Sequence, residues 1–334
     1  MSQPPRIVAL GGGHGLFASL SALRRLTTAL TAVVTVADDG GSSGRIRREL
    51  GVLPPGDLRM ALVALAAEPD GAGPGWHPEW PELLQHRFGG SGALAGHPVG
   101  NLLLTGLLEE HADPVAALDA AGSMIGAVGR VLPMSAWPLD LVADVATFDR
   151  DDPVRVRRIR GQSAIAATPG HVRDIRLIPA DAPACAAAVE AVETADAIVL
   201  GPGSWFTSVI PHLLLPGLAA ALTGSAARVI VTLNLVPQPG ETEGFSATEY
   251  LSALERYAPA LHVDAVVADT DSVPDEAELA AYCGWRQADL VLARVSGDDA
   301  WDRHDPARLA TALRTALGRV LDPGRAPRAE RDGA

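Results

Sequence analysis

Six short apolar runs set what this chain can fold into: RIVAL at 6–10, TAVVTVA at 31–37, DAIVLG at 196–201, ARVIVTLN at 227–234, VDAVVADT at 263–270 and ADLVLARV at 288–295. They are rich in β-branched residues and apolar at successive positions, the pattern of parallel strands buried on both faces. Ala/Leu-rich segments with helical spacing separate them, beginning with Phe17–Leu26 and ending with PARLATALRTALGRVL at 306–321. Strand and helix in alternation predict an α/β chain with a doubly wound, mostly parallel sheet.

Two regions break the rhythm. Residues 68–96 are rich in Gly, Pro and Trp and read as an irregular insertion, with a short helix near Pro81–Arg87. Residues 129–178 hold short, partly alternating runs between turn residues (RVLPMS, LDLVADVATF, PVRVRRIRG, VRDIRLIP), which predict an inserted antiparallel β meander. The expected organisation is one domain over 1–321 followed by a disordered Pro/Gly-rich tail at 322–334.

Composition narrows the chemistry. With 334 residues, 48% of them hydrophobic and only 4% aromatic, the core must be built from Ala, Val and Leu. A net charge of −13 argues against a nucleic-acid or anionic-membrane surface, since neutralising phosphates takes basic patches. All 27 Lys+Arg positions are arginine, which excludes a P-loop lysine, a Schiff-base lysine and a lysine acid/base. Cys185 and Cys283 lie far apart and suit a reducing compartment. The opening MSQPPRIVAL predicts no secretory leader, and the apolar runs are too short to span a bilayer. The expectation is a soluble cytoplasmic protein.

The candidate ligand sites are loops that follow strands. Gly12 and Gly13-His14-Gly15-Leu-Phe-Ala18 satisfy the G-x-G-x-x-G/A dinucleotide pattern, and Asp38 stands 23 residues beyond Gly15, where a ribose-binding acid belongs. Small residues at a helix start let backbone N–H groups approach a phosphate. The plain alternative is a tight glycine turn. Next comes Asp38-Asp39-Gly-Gly-Ser42-Ser43-Gly-Arg45, where two carboxylates and two hydroxyls suit a hydroxyl-rich or metal-phosphate ligand, and Arg45 could pair with a phosphate or with Asp39. A solvated polar turn fits it too. A third loop runs Gly201-Pro-Gly203-Ser204 to Thr207 and Ser208, a second potential anion cradle. A fourth holds Asn234 at a strand end and Phe245, an aromatic that could stack on a base or pack internally. Two glycine cradles at the carboxyl edge of one sheet favour a ligand with more than one anionic centre, such as a diphosphate.

Other motifs have blander readings. Asp57 is placed to N-cap a helix, and Asn101 to cap another. His14 and His97 show no metal-ligand spacing with the aspartates, so no metal is expected. No G-x-S-x-G elbow supports a hydrolase triad.

Taken together, VALGGGHGL, AVVTVADDGGSSGRIRRELGVLPPGDLRMALVAL, HRFGGSGALAGHPVGNLLLTGL, VLGPGSWFTSVIPHLLLPGLAAAL and NLVPQPGETEGFSATEYLSAL resemble the YvcK family over about residues 6–321. Its members are known as gluconeogenesis factors or UDP-N-acetylglucosamine-binding proteins, and it is related to the 2-phospho-L-lactate transferases (CofD). The resemblance implies a Rossmann-like fold, a UDP-sugar ligand, and a role in cell shape and cell-wall precursor supply during gluconeogenic growth. It implies no established reaction and no required cofactor. By the same resemblance, the opening glycines and Asp38 line the nucleotide site, and Asn101, the Gly201–Ser208 loop and Asn234 approach the same cleft. The chain departs from the family where His14 replaces a common Thr, Val236-Pro237 a common Met-Thr, and Phe245 a common Tyr.

Three functions therefore compete: a nucleotide-sugar sensor acting on a regulated protein partner that the sequence does not identify, a transferase of the phospholactate type, and an NAD-dependent oxidoreductase resting on the fingerprint alone. A homodimer is the base-rate expectation.

Overall fold

The computed structural model describes residues 3–66, 79–146, 156–298, 300–322 and 324. Seven strands form one parallel sheet: β1 (Ile7–Gly11), β2 (Leu30–Val34), β3 (Arg130–Pro133), β7 (Ala197–Leu200), β8 (Arg228–Thr232), β9 (Ala265–Asp269) and β10 (Asp289–Ala293). Their order is β10-β9-β8-β7-β1-β2-β3. Every residue of β1, β7 and β9 is buried, as the apolar runs require of strands covered on both faces.

Strand order reverses at β1 and β7, which pair directly from Ile7↔Ala197 to Leu10↔Leu200. From β1 the chain builds towards β3, and from β7 towards β10. Such a reversal opens a crevice beyond the carboxyl ends of the two central strands. The first half carries α1 (Gly13–Leu23), α2 (Gly41–Leu50), α3 (Pro55–Leu65), α4 (Trp80–Gln85), α5 (Val99–Glu110) and α6 (Pro114–Met124). The second carries α8 (Ala186–Glu193), α9 (Pro211–Leu214), α10 (Pro216–Gly224), α11 (Ala247–Tyr257), α12 (Glu276–Trp285) and α13 (Pro306–Val320). Helix α1 packs between α3 and α13, α8 packs on α10, and α11 on α12. No helix among the described residues is long and apolar enough to cross a membrane.

A second, three-stranded antiparallel sheet, β5-β4-β6, is built from β4 (Asp140–Ala146), β5 (Val156–Arg160) and β6 (His171–Ile178), with α7 (Gln162–Ala167) between the last two. The expected meander over 129–178 is thus shorter than its sequence limits. RVLPMS is β3, the parallel edge strand of the main sheet, paired Thr31↔Arg130 to Val34↔Pro133. Four residues of mixed polarity at a sheet edge carry no periodicity that separates parallel from antiparallel pairing.

Several local boundaries also move. Helix α1 starts at Gly13, inside the glycine loop, rather than at Phe17. The polar run 38–45 is a short link followed by helix, so Ser42, Ser43 and Arg45 lie in the first turns of α2. Asp57 and Asn101 are third residues of their helices, whose N-caps are Pro54 and Pro98, and neither acts as a cap. Helix α12, in EAELAAYCGW, had no counterpart in the sequence reading. The expected short helix near Pro81–Arg87 is α4; residues 68–78 of the irregular insertion and most of the 322–334 tail lie outside the described residues.

Candidate functional site

The two glycine loops meet at the β1/β7 reversal. A Cβ on Gly15 would lie 2.1 Å from the Pro202 carbonyl oxygen and 2.5 Å from Gly203 Cα, so glycine is required by contact between loops. Ser19 Oγ, one turn along α1, donates to the Gly201 carbonyl at 2.7 Å. Asn234, just past β8, grips Gly203 from the other side: its Oδ1 accepts from Gly203 N at 2.8 Å and its Nδ2 donates to Gly203 O at 2.9 Å. Residues from three separate loops are therefore welded into one wall.

The rest of the Gly201–Ser208 loop is held by a residue the sequence reading passed over. Buried Glu241 accepts from Phe206 N at 3.1 Å and from Thr207 Oγ1 at 2.8 Å, with Ser204 hydrogen-bonded to the same carboxylate. Burial pushes the Glu241 carboxyl up, and these donors partly offset the effect. Trp205–Val209 form a π-helical turn, which places Ser208 next to Gly12. Phe245 packs edge-on against Phe206 and Tyr250, with ring centroids 6.1 and 5.5 Å away. The described structure thus places this ring within an aromatic cluster.

Behind the opening loop lies a carboxyl pair. Asp57, partly buried, accepts from the Gly13 backbone N–H, an otherwise unpaired donor at the start of α1. Burial, then the neighbouring Asp38, raises its carboxyl to about 7. Asp38 is raised by burial too, moderated by Gly40 N at 2.9 Å and the Ser43 hydroxyl. Ser43 Oγ in turn accepts from Gly56 N at 3.1 Å, tying α2 to α3. One of the loop's N–H groups is therefore already satisfied by the protein's own carboxyl.

A polar relay continues from there. Arg59 Nε donates to Asn101 Oδ1 at 2.9 Å, Asn101 Nδ2 donates to Ser42 Oγ at 2.9 Å, and Ser42 Oγ lies 2.7 Å from His97 Nδ1. Asn101 thus links α3 to α2. Asp39 and Arg45 have other partners. Asp39 Oδ1 accepts from Ser163 N at 2.9 Å, anchoring α7, and Arg45 Nη2 donates to the Ala95 carbonyl at 2.9 Å.

The open part of the crevice is a cleft of about 430 Å³ lined by His14, Phe17, Gly203, Asn234, Gln238, Arg303 and His304 among others. Burial, then Arg303 and Arg59, hold His14 below the ordinary imidazole range. Burial brings His304 down to about 4. Thr35 Oγ1, Thr232 Oγ1, Gln162 Oε1, Gln238 Oε1 and His304 Nε2 are buried with no hydrogen-bond partner. All belong to this edge: Thr35 follows β2, Thr232 ends β8, Gln162 reaches Thr207, and the last two line the cleft. Buried polar atoms without protein partners are costly, and a bound water, ion or ligand is one way to satisfy them. Arg59 had a legible signal in its sequence, a lone cation in the otherwise apolar stretch LRMALVAL. Gln238 and Glu241 stand within NLVPQPGETEG, one of the stretches that carry the family resemblance, whereas Arg303 and His304 had no such signal.

The family model described as 2-phospho-L-lactate transferase CofD matches residues 7–292. Among similar proteins, the "Putative gluconeogenesis factor" of Mycobacterium tuberculosis is 55% identical over 325 residues, spanning 96% of this chain and 93% of that protein. The chain belongs to the YvcK family of CofD-domain proteins. The gluconeogenesis factor of Listeria monocytogenes is 37% identical over 272 residues, 81% of this chain and 80% of that one. A crystal structure of a UPF0052 family member from Bacillus halodurans superposes with a TM-score of 0.81 at 32% identity, covering 94% of this chain and 99% of that chain. This YvcK-family chain shares its mixed α/β fold with that structure.

Proposed function

We propose that this chain is a cytoplasmic regulator whose occupancy by a nucleotide-sugar of the UDP-N-acetylglucosamine type controls a protein partner, with consequences for cell shape and cell-wall precursor supply during gluconeogenic growth. The observation that carries it is the cleft at the β1/β7 reversal, where the Arg303 guanidinium and buried polar atoms without protein partners stand beside the glycine loops. Cations and N–H groups suit the phosphates, and Gln238, Asn234 and His304 suit the hydroxyls and base edge. NAD fits the G-x-G-x-x-A spacing alone and is the weaker ligand. Calorimetry with UDP-N-acetylglucosamine, GDP and NAD tests the reading: saturable binding of the UDP-sugar is expected, and its absence would overturn it.

One observation favours a second reading. Asp57, raised to about 7 beside Asp38, is poised as a proton acceptor, and the matching family model is described as a transferase. Turnover of bound nucleotide in the presence of candidate acceptors, followed by mass spectrometry, would establish that activity.

A further inference from the structure

Helix α1 gives one face to the cleft. His14, Phe17 and Ala18 all line it. They stand at i, i+3 and i+4, the spacing that sets side chains in one row on a helix. Further apolar lining comes from Leu235 and Val236, just past β8, and from Pro306 at the start of α13. Among the described residues that line the cleft, Phe17 is the only Phe, Tyr or Trp. It is partly buried, with its inner side against the core, and no ring among the described residues stacks on it. Phe245, by contrast, is already packed against Phe206 and Tyr250. Trp301 directly precedes the Asp302–His304 wall, yet it is 72% exposed and does not line the cleft.

The polar lining makes a second demand. Gln238 Oε1 and His304 Nε2 both belong to residues that line this cleft, both are buried, and neither has a hydrogen-bond partner. A flat heteroaromatic ring meets both demands at once. Its face stacks on a phenyl ring, and its edge carries the N–H and C=O groups that buried polar atoms need. An aliphatic chain would leave the two buried atoms unpaired, and a saturated sugar has no π-face for Phe17. Position along the helix fits as well. Phe17 lies four residues beyond Gly13, about 6 Å along the helix axis. A ring on Phe17 therefore leaves the helix start, with its backbone N–H groups, to the phosphates.

We propose that Phe17 holds the nucleobase: the base stacks on its ring and turns its N–H edge to the amide of Gln238. That amide carries an acceptor and a donor side by side, the complement of the uracil N3–H and its neighbouring carbonyl. The assignment rests on the nucleotide-sugar reading and deepens it, because it puts the base, and not the sugar, at the Phe17 end of the cleft. A Phe17 that only covers the core would make no ligand contact.

The test uses the full chain with ring-labelled phenylalanine and three probes: UDP-N-acetylglucosamine, UDP, and N-acetylglucosamine 1-phosphate, which has no base. In the unaltered chain, uracil H5 and H6 should show nuclear Overhauser contacts to one of the five phenylalanine rings, the one that disappears in Phe17→Leu. Phe17→Leu should weaken both uracil-bearing probes by about tenfold, since one base–aromatic stack is lost, and leave the sugar phosphate within about twofold. Phe17→Tyr keeps a ring, should hold the uracil-bearing probes within about threefold, and should move the contacts to a tyrosine signal. UDP methylated at N3 should bind the unaltered chain about tenfold more weakly than UDP, and equal binding overturns the Gln238 pairing. Bound UDP-sugar whose uracil protons touch no phenylalanine, or touch Trp301, overturns the Phe17 assignment while the nucleotide-sugar reading stands. Equal weakening of all three probes by Phe17→Leu also overturns it, showing a packing role alone. Should Phe17→Leu fail to fold, Phe17→Tyr decides: contacts that stay on a phenylalanine ring overturn the proposal. If no uracil-bearing probe binds the unaltered chain, the assignment and the nucleotide-sugar reading fall together.

Discussion

Asn234 closes a two-bond ring on Gly203, accepting from its N–H at 2.8 Å and donating to its carbonyl at 2.9 Å. The side chain copies a strand partner for a loop that has none, and so fixes the second glycine loop against the first. Asn234→Ala should lower stability by about 1–3 kcal/mol, the cost of leaving two partly buried backbone groups unpaired. It should weaken nucleotide binding more than it weakens the fold. Urea unfolding and calorimetry on the same variant check both; equal ligand affinity would remove the loop from the site.

Gly15 and Pro202 make the closest approach between the loops, and that contact predicts an ordering of glycine substitutions. A Cβ at 15 meets the Pro202 carbonyl oxygen at 2.1 Å, whereas one at Gly13 meets only Asp57 Oδ1, at 3.9 Å. Gly13 instead has φ of +56°, which costs a side chain about 1–2 kcal/mol. Gly15→Ala must push backbone against backbone and should cost more, about 3 kcal/mol. Thermal unfolding of the two alanine variants should rank Gly15→Ala lower. The reverse order would mean that the loops part easily.

Glu241 anchors the π-helical turn by accepting from Phe206 N and Thr207 Oγ1. Glu241→Ala leaves a buried N–H and hydroxyl without acceptors and should destabilise by about 2–4 kcal/mol. Glu241→Gln keeps an acceptor and should cost less than half as much. Denaturant midpoints for both variants are the measurement. Equal losses would show that charge, not acceptor geometry, holds the turn.

Where sequence revealed structure, periodicity did it. The apolar runs became β1, β2 and β7–β10 because a strand buried on both faces leaves no other pattern in the chain. The glycine loops were legible because φ, contact and helix start all act on adjacent residues. What stayed hidden depends on long-range geometry. Asp57 satisfies the N-terminal N–H of a helix 44 positions earlier in the chain, Gly13 being its donor. Arg303 and His304 reach the cleft from the segment before α13, and nothing around DRHDP distinguishes a cleft wall from a cap. Ser42 and Ser43 looked like loop hydroxyls because two glycines precede them, yet Gly40 is an N-cap and both serines bond between helices.

The Asp57 carboxyl makes stability depend on pH with a definite sign. Folded, it keeps its proton to about pH 7; its ordinary value is 3.8. Between those values the native chain holds a proton that the unfolded chain has lost, so stability falls as pH rises through the window. The gap corresponds to at most about 4 kcal/mol. Asp38, also raised, acts in the same direction. His212 and His304, lowered to about 4, act oppositely: below 6.5 the unfolded chain takes up protons the native one refuses, so acidification also destabilises. Asp57→Asn keeps an acceptor for Gly13 N–H and removes the titration. Urea unfolding at pH 6, 7 and 8 should show the unaltered chain losing stability while Asp57→Asn holds nearly level and overtakes it by pH 8. Parallel curves for the two chains would mean that Asp57 is ionised in the fold at every pH tested, and would remove it as a proton acceptor in the crevice.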